Sequence, residues 1–96
     1  MFFLVLAADR PGLLERRLEH RQHHLDYWNA KAGAVKIAGA MLDGDSPKGS
    51  AFILEAEDEA AVRKLLADDP FTTEGIFGDD VRIEAYRPAI GDWKPG

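Results

Sequence analysis

The sequence predicts an α+β fold of ferredoxin-like order, βαββαβ, built on a four-stranded antiparallel sheet. Three observations carry this. Segments of strand or helix period follow one another as strand, helix, strand, strand, helix, strand. The two middle strands are joined by a turn-rich loop without room for a helix, which makes them an antiparallel hairpin. The first strand is apolar on both sides, so two helices on one face of the sheet cannot cover all of it.

Taken in order, Phe2–Ala8 is apolar at nearly every position and reads as a central strand. Asp9-Arg10-Pro11 ends it and starts a helix, with Pro11 at or near the first turn, where a missing N–H costs nothing. The helix is expected to reach about Lys31 and stop at Gly33 in the left-handed C′ position. Val35–Leu42 alternates with period two, and Gly39 within it suggests a bulge or a close backbone approach. A loop over residues 43–49 leads to a third strand, Ser50–Ala56. Asp58 reads as the N-cap of a short helix with Ala61, Val62, Leu65 and Leu66 inside. Asp69-Pro70 breaks it, Phe71–Gly78 makes a helical turn and a loop, and Val81–Tyr86 is the fourth strand. These elements form one domain over residues 1–88, with an irregular tail at 89–96 that holds Trp93.

Bulk properties narrow the function. A net charge of −5 argues against nucleic acid, because phosphate binding needs a basic surface. Without cysteine there are no disulfides, no thiolate catalysis and no Cys-ligated zinc. The opening MFFLVLAA has no basic region before it and meets Asp9-Arg10-Pro11 at once, so it reads as a strand and not as a signal peptide. The chain is expected to be soluble and cytoplasmic, without a membrane partner. The second face of the sheet needs a cover, and the simplest is another copy, which predicts a sheet-to-sheet homodimer.

The first helix carries the chemistry-bearing residues. At about 100° per residue, Leu14, Leu18, Leu25 and Ala32 make an apolar line with Trp28 beside it, and Arg21 falls inside that line. His24 lies roughly 80° from the line's centre, at the boundary of core and solvent, and Arg17 shares that edge. A boundary imidazole can act as general acid or base; it can equally be a structural histidine bonded to a carbonyl. Arg21 could clamp an anion, or form an ion pair with its stem on the core. For Asp69 the local pattern favours an N-cap ahead of proline, although the carboxylate could also orient His24. His20 and His24 stand one turn apart, but His23 points elsewhere and no adjoining Glu completes a metalloprotease pattern, so no metal site is predicted. Asp9, Asp26 and Asp43 are explained by caps, turns and solvated charge.

The run Asp9, Leu14-Glu15, Arg17-Leu18, Arg21, His24-Leu25, followed by Ala38-Gly39 and by Asp69-Pro70-Phe71, Gly75 and Phe77, resembles the YciI-like family over roughly residues 2–88. The resemblance implies protomers similar in fold to muconolactone isomerase that pair as dimeric α+β barrels. It also implies a histidine/aspartate-centred pocket, here His24 with Asp69, lined by Arg21 and Arg17. Family members with known chemistry include a dehydrochlorinase of chlorinated hydroxyquinol. Two positions depart from the family pattern, Ala40 in place of a frequent proline and a short loop at 43–49, and both bear on the pocket's rim and hence on the substrate. The implied activity is cofactor-free proton transfer on a small hydroxylated cyclic compound, of lyase or isomerase type. The alternatives are a dimeric binding module for a small metabolite and, further off, a metal- or haem-dependent monooxygenase of the same architecture. His24, Arg21 and Asp69 are expected to meet in one cleft between the first helix and the sheet.

Overall fold

A strand apolar on both faces belongs at the centre of a sheet, and Phe2–Asp9 (β1) lies there, antiparallel to a neighbour on each side. The computed structural model describes residues 1–93; of the expected tail, residues 94–96 lie outside the described residues. After β1 come α1 (Leu14–Asn29), β2 (Val35–Asp43), β3 (Ser46–Glu55), α2 (Glu59–Ala67), α3 (Pro70–Thr73) and β4 (Phe77–Tyr86). The sheet order is β2-β3-β1-β4, antiparallel throughout, which is the predicted α+β arrangement.

Register divides the sheet into two faces. Phe3 pairs with Leu54 and Ala85, Val5 with Phe52 and Ile83, and Ala7 with Ser50 and Val81; this face meets the helices. Its core joins Phe3, Val5, Ala7, Phe52 and Leu54 to Trp28 of α1, Val62 and Leu66 of α2, and Phe71, Ile76 and Phe77. Phe2, Leu4, Leu6, Ala51 and Ile53 turn to the other face, which no helix covers.

Several boundaries differ from the sequence reading. Pro11 lies in a turn ahead of α1, where Gly12 takes φ +79°, and the helix starts only at Leu14. It ends at Asn29, and Gly33 does not adopt positive φ; Ala30 N–H and Lys31 N–H close the last turn on Asp26 O and Trp28 O. The loop expected over 43–49 contracts to Gly44-Asp45, because Asp43 pairs with Ser46 and Gly44 supplies φ +62°. Gly39 stands in open space, while Gly49 is the close approach: a Cβ there would meet Ala7 O at 2.6 Å. β4 begins at Phe77, four residues before the expected Val81, since Asp9 already pairs with Phe77 across a register shift.

The largest correction concerns the phase of α1. Leu14 and Leu18, expected inside, are 39% and 54% exposed, and Ala32 and Arg21 are also exposed. The buried positions are Arg17, His24 and Trp28. Burial of a guanidinium and an imidazole costs free energy unless each is partnered. The partners come from β1, β3 and the N-cap of α3, which are 8, 33 and 45 residues away in sequence.

Candidate active site

Two consecutive turns of α1 set Arg17 and His24 on the inward face, seven residues apart and so nearly in line. Asp69 reaches this face from the end of α2. Its backbone is extended (φ −62°, ψ 129°), and its carboxylate caps α3 by accepting from Phe71 N–H at 2.9 Å, with Pro70 at the first helical position. The same carboxylate, fully buried, accepts from Trp28 Nε1–H at 2.8 Å and from His24 Nδ1–H at 2.8 and 3.0 Å. Capping and orienting His24 therefore coexist in one side chain.

That arrangement fixes the imidazole. A carboxylate that already takes two N–H groups accepts from His24 as well, so Nδ1 carries a proton and, in the neutral ring, Nε2 holds the lone pair. The ring stacks on Phe71, with centroids 4.0 Å apart and planes within 10°. Nε2 makes no hydrogen bond among the described residues, and no fully buried side-chain nitrogen or oxygen there lacks a partner. Nε2 thus lies where solvent or a ligand can reach it.

Arg17 holds the other half of the cluster. Nη1–H donates to both carboxylate oxygens of Asp9 at 2.8 and 3.0 Å, and Nη2–H donates to Ser50 Oγ at 2.7 Å. The guanidinium carbon sits 4.5 Å from the centre of the Phe71 ring, so Phe71 is in contact with both Arg17 and His24. Burial pushes the Asp9 carboxyl above its ordinary value, an effect larger than the opposing pull of Arg17 and, more weakly, of His24. On the far side of α1, Tyr27 O–H donates to Leu65 O at 2.6 Å and ties the helix to α2. Burial, reinforced by the charges of Asp68 and Asp69, raises the Tyr27 phenol above its usual value.

Of the residues singled out from sequence, His24, Asp69 and Arg17 come together, and Arg21 does not. Arg21 is exposed, and Arg17 occupies the place expected for it in the cluster. The reason is the phase of the helix: turning the His24 edge inward carries Arg21 outward. Asp9 and Ser50 were missed as site residues. Asp9 reads locally as a strand end, and Ser50 shows itself only as a polar residue at an inward strand position, a signal visible once the register is known. His20 lies apart with Arg16 at Glu74, 3.4 Å from that carboxylate. Among the described residues no three His, Asp or Glu side chains group as a metal-ligand set, and no helix is long and apolar enough to cross a membrane.

Comparisons with known proteins bear on the family and the fold. A family model described as the YCII-related domain matches residues 1–85. An uncharacterized protein of Haemophilus influenzae is 27% identical over 88 residues, covering 82% of this chain and 90% of its own. Fusaric acid biosynthesis protein 2 of Gibberella fujikuroi is 30% identical over 84 residues, covering 78% of this chain and 81% of its own. Among solved structures, 5-chloro-2-hydroxyhydroquinone dehydrochlorinase from Burkholderia phenoliruptrix AC1100, in complex with 2,5-dihydroxybenzoquinone, superposes with a TM-score of 0.83. It is 29% identical, and the match covers 93% of this chain and 96% of that one.

Proposed function

The chain belongs to the YCII-related domain family, and from that premise we propose that it is a cofactor-free proton-transfer enzyme acting on a small, hydroxylated cyclic compound. The observation that carries the proposal is His24, held through Nδ1–H by the buried Asp69 at 2.8 Å while Nε2 makes no hydrogen bond among the described residues. A base oriented by a carboxylate on its far nitrogen is the general arrangement for taking a proton from a hydroxyl. In this reading Nε2 accepts the proton, and Asp69 balances the imidazolium and prevents ring rotation. Arg17, itself held by Asp9 and Ser50, steadies the oxyanion left behind.

The solved dehydrochlorinase suggests one reaction of this type. On a chlorinated hydroxyquinol, two ring hydroxyls give up protons, and one proton is delivered to the carbon that bears chlorine. Chloride then leaves with its bonding electron pair. The net loss is HCl, the ring reaches the quinone level, and the departing chloride carries the two electrons, so no external oxidant enters. An isomerase would use the same base and anion clamp to move a double bond.

A homodimer completes the proposal. The face holding Leu4, Leu6, Ile37 and Ile53 is apolar at its centre, with Glu84 and Arg82 of β4 beside Leu4 and Leu6, and no helix among the described residues lies over it; one flank forms a cleft of about 770 Å³ with Tyr86, Ile90 and Trp93 of the last strand and tail. A second copy placed sheet to sheet would bury this surface. The His24 cluster lies on the opposite face of the sheet and stays accessible in such a dimer.

The test is turnover by wild type and His24→Ala on chlorinated and unchlorinated hydroxyquinols, catechols and muconolactones, read by ultraviolet spectra and chloride release. The expected result is activity in the wild type and a loss of about a hundredfold or more in a folded variant. Equal turnover by both proteins would remove His24 as the base, and binding of the compounds without turnover by either would replace the enzyme with a binding module.

A further inference from the structure

Two charged side chains stand on the face of the sheet that turns away from the helices. Arg82 and Glu84 of β4 pair with Leu6 and Leu4 of β1 and share their side. Within the chain they form a loose ion pair of 3.4 Å, with side chains 65% and 58% exposed. The register extends each of them into a row across the sheet. From β4 to β2 one row reads Glu84, Leu4, Ile53, Ile37, and the next reads Arg82, Leu6, Ala51, Gly39. The rows are opposite in charge at one end and opposite in size at the other. Gly39 has no reason inside its own chain: its φ is not positive, and a Cβ there would meet nothing within 4 Å. A glycine in a strand marks a close approach, and here the approaching group must come from outside the protomer.

A second copy placed face to face is related by a two-fold axis lying in the plane between the sheets. With that axis parallel to the strands, β4 of one protomer lies over β2 of the other. Glu84 and Arg82 then fall on Ile37 and Gly39, where a charge loses water and gains no partner. With the axis across the strands, between the two rows, each strand lies over its own copy and the rows exchange. Glu84 meets Arg82 of the partner subunit, and Arg82 meets the partner's Glu84. Ile53 meets the partner's Ala51 and Ile37 the partner's Gly39, large against small, as interdigitation of sheets about 10 Å apart requires. A rotation of about 30° between packed sheets displaces facing β4 residues by about 4 Å, which an arginine side chain spans. The tail fits the same exchange. Ile90 and Trp93, 92% and 81% exposed, flank the Phe2–Tyr86 end of the face. Exchange sets them toward the partner's other end, where the small residues Ala8 and Gly49 pair.

We infer that Arg82 and Glu84 fix the orientation of the homodimer, with the two-fold axis across the strands and the two residues exchanged as a pair of intersubunit ion pairs along the β4 edge; the inference rests on the sheet-to-sheet reading of the dimer. By symmetry each crossing pair occurs twice. Half-exposed ion pairs at an interface rim add little affinity, but they penalise the wrong arrangement, in which the same charges meet apolar surface. The charges that interrupt this apolar face thus choose its occupant: a second copy of this chain, in one of the two face-to-face orientations.

The experiment is charge reversal, read as the dimer Kd by sedimentation over a concentration series. Arg82→Glu sets acids against acids and Glu84→Arg sets arginines against arginines, so each should raise the Kd about tenfold or more, less as salt is added. The double variant Arg82→Glu/Glu84→Arg restores the pattern and should return to within about threefold of wild type. Mixing the two single variants should give heterodimers tighter than either homodimer, seen by native mass spectrometry. Gly39→Val suits a strand and clashes with nothing in the protomer, yet should raise the Kd about tenfold by meeting the partner's Ile37. Circular dichroism confirms folding; both reversals lie at exposed positions, and if one fails to fold, the double variant and Gly39→Val still decide. A dimer indifferent to both reversals, or single variants that do not pair with each other, would overturn the orientation and leave the sheet-to-sheet reading standing. Wild type that stays monomeric at every concentration would remove both.

Discussion

Replacing Asp69 by Asn isolates what the carboxylate does, because the shape is kept and only the charge and one acceptor are lost. Its two oxygens serve three donors. Oδ1 accepts from Phe71 N–H at 2.9 Å, Oδ2 from Trp28 Nε1–H at 2.8 Å, and both lie within 3.0 Å of His24 Nδ1. An amide offers one oxygen. If that oxygen takes the Oδ1 position, the NH2 group faces Trp28 Nε1–H; in the flipped orientation it faces Phe71 N–H. Either way one buried donor is stranded against another, at a cost of about 1–3 kcal/mol. With about 2 kcal/mol lost, a domain of this size should melt about 8–16 °C lower. Thermal melting followed by circular dichroism reads this directly, and the indole N–H resonance of Trp28 should shift. Turnover should fall about a hundredfold or more, since the imidazolium formed during proton transfer loses its counter-charge. A variant that melts within about 2 °C of wild type and keeps full turnover would refute both the hydrogen-bond accounting and the role given to Asp69.

Two further outcomes follow from the geometry. Because burial raises the Asp9 carboxyl, the folded protein holds that proton more tightly than the unfolded chain does. The associated stabilisation is complete below the unfolded value, near 3.8, and is lost as pH rises through the raised folded value. Urea unfolding from pH 3 to 7 should therefore show wild type losing stability relative to Asp9→Asn as pH rises; a gain over that interval would contradict the assignment. Leu4→Lys, which places a charge in the middle of the uncovered sheet face, should convert a sheet-to-sheet dimer to monomers in sedimentation analysis while leaving circular dichroism unchanged. A dimer that survives this change would use another surface.

The type of each element and its order along the chain could be read from the sequence because each follows from local period. The alternation in β2, the double-sided apolar run of β1 and the Asp58 cap all report on their own neighbourhood. The phase of α1 could not be read the same way. Its leucines make the better apolar line, yet Arg17 and His24 face inward because Asp9, Ser50 and Asp69 complete their hydrogen bonds there, the last from 45 residues away. A hydrophobic pattern weighs each side chain alone and contains no entry for a partner on another element. His24 and Asp69 were nevertheless recognisable as a pair through the family motif. Arg17 was placed correctly at His24's edge, while Arg21 was assigned to the wrong neighbourhood.

That same conflict between pattern and structure supports a functional origin for the cluster. Three leucines of α1 stand at or near the surface while a guanidinium and an imidazole occupy the interior. Stability alone does not produce such an exchange. Taking ions out of water costs several kcal/mol each, a paired buried charge roughly recovers this, and apolar residues of similar volume often do better. Every fully buried side-chain donor and acceptor among the described residues is nonetheless satisfied, with Asp69 serving three donors and Asp9 taking Arg17 through both oxygens. A network so fully partnered is rigid, and it leaves His24 Nε2 without a hydrogen bond among the described residues. A fold that breaks its own hydrophobic pattern at one place, and partners every polar group there, has concentrated its cost where the chemistry is proposed.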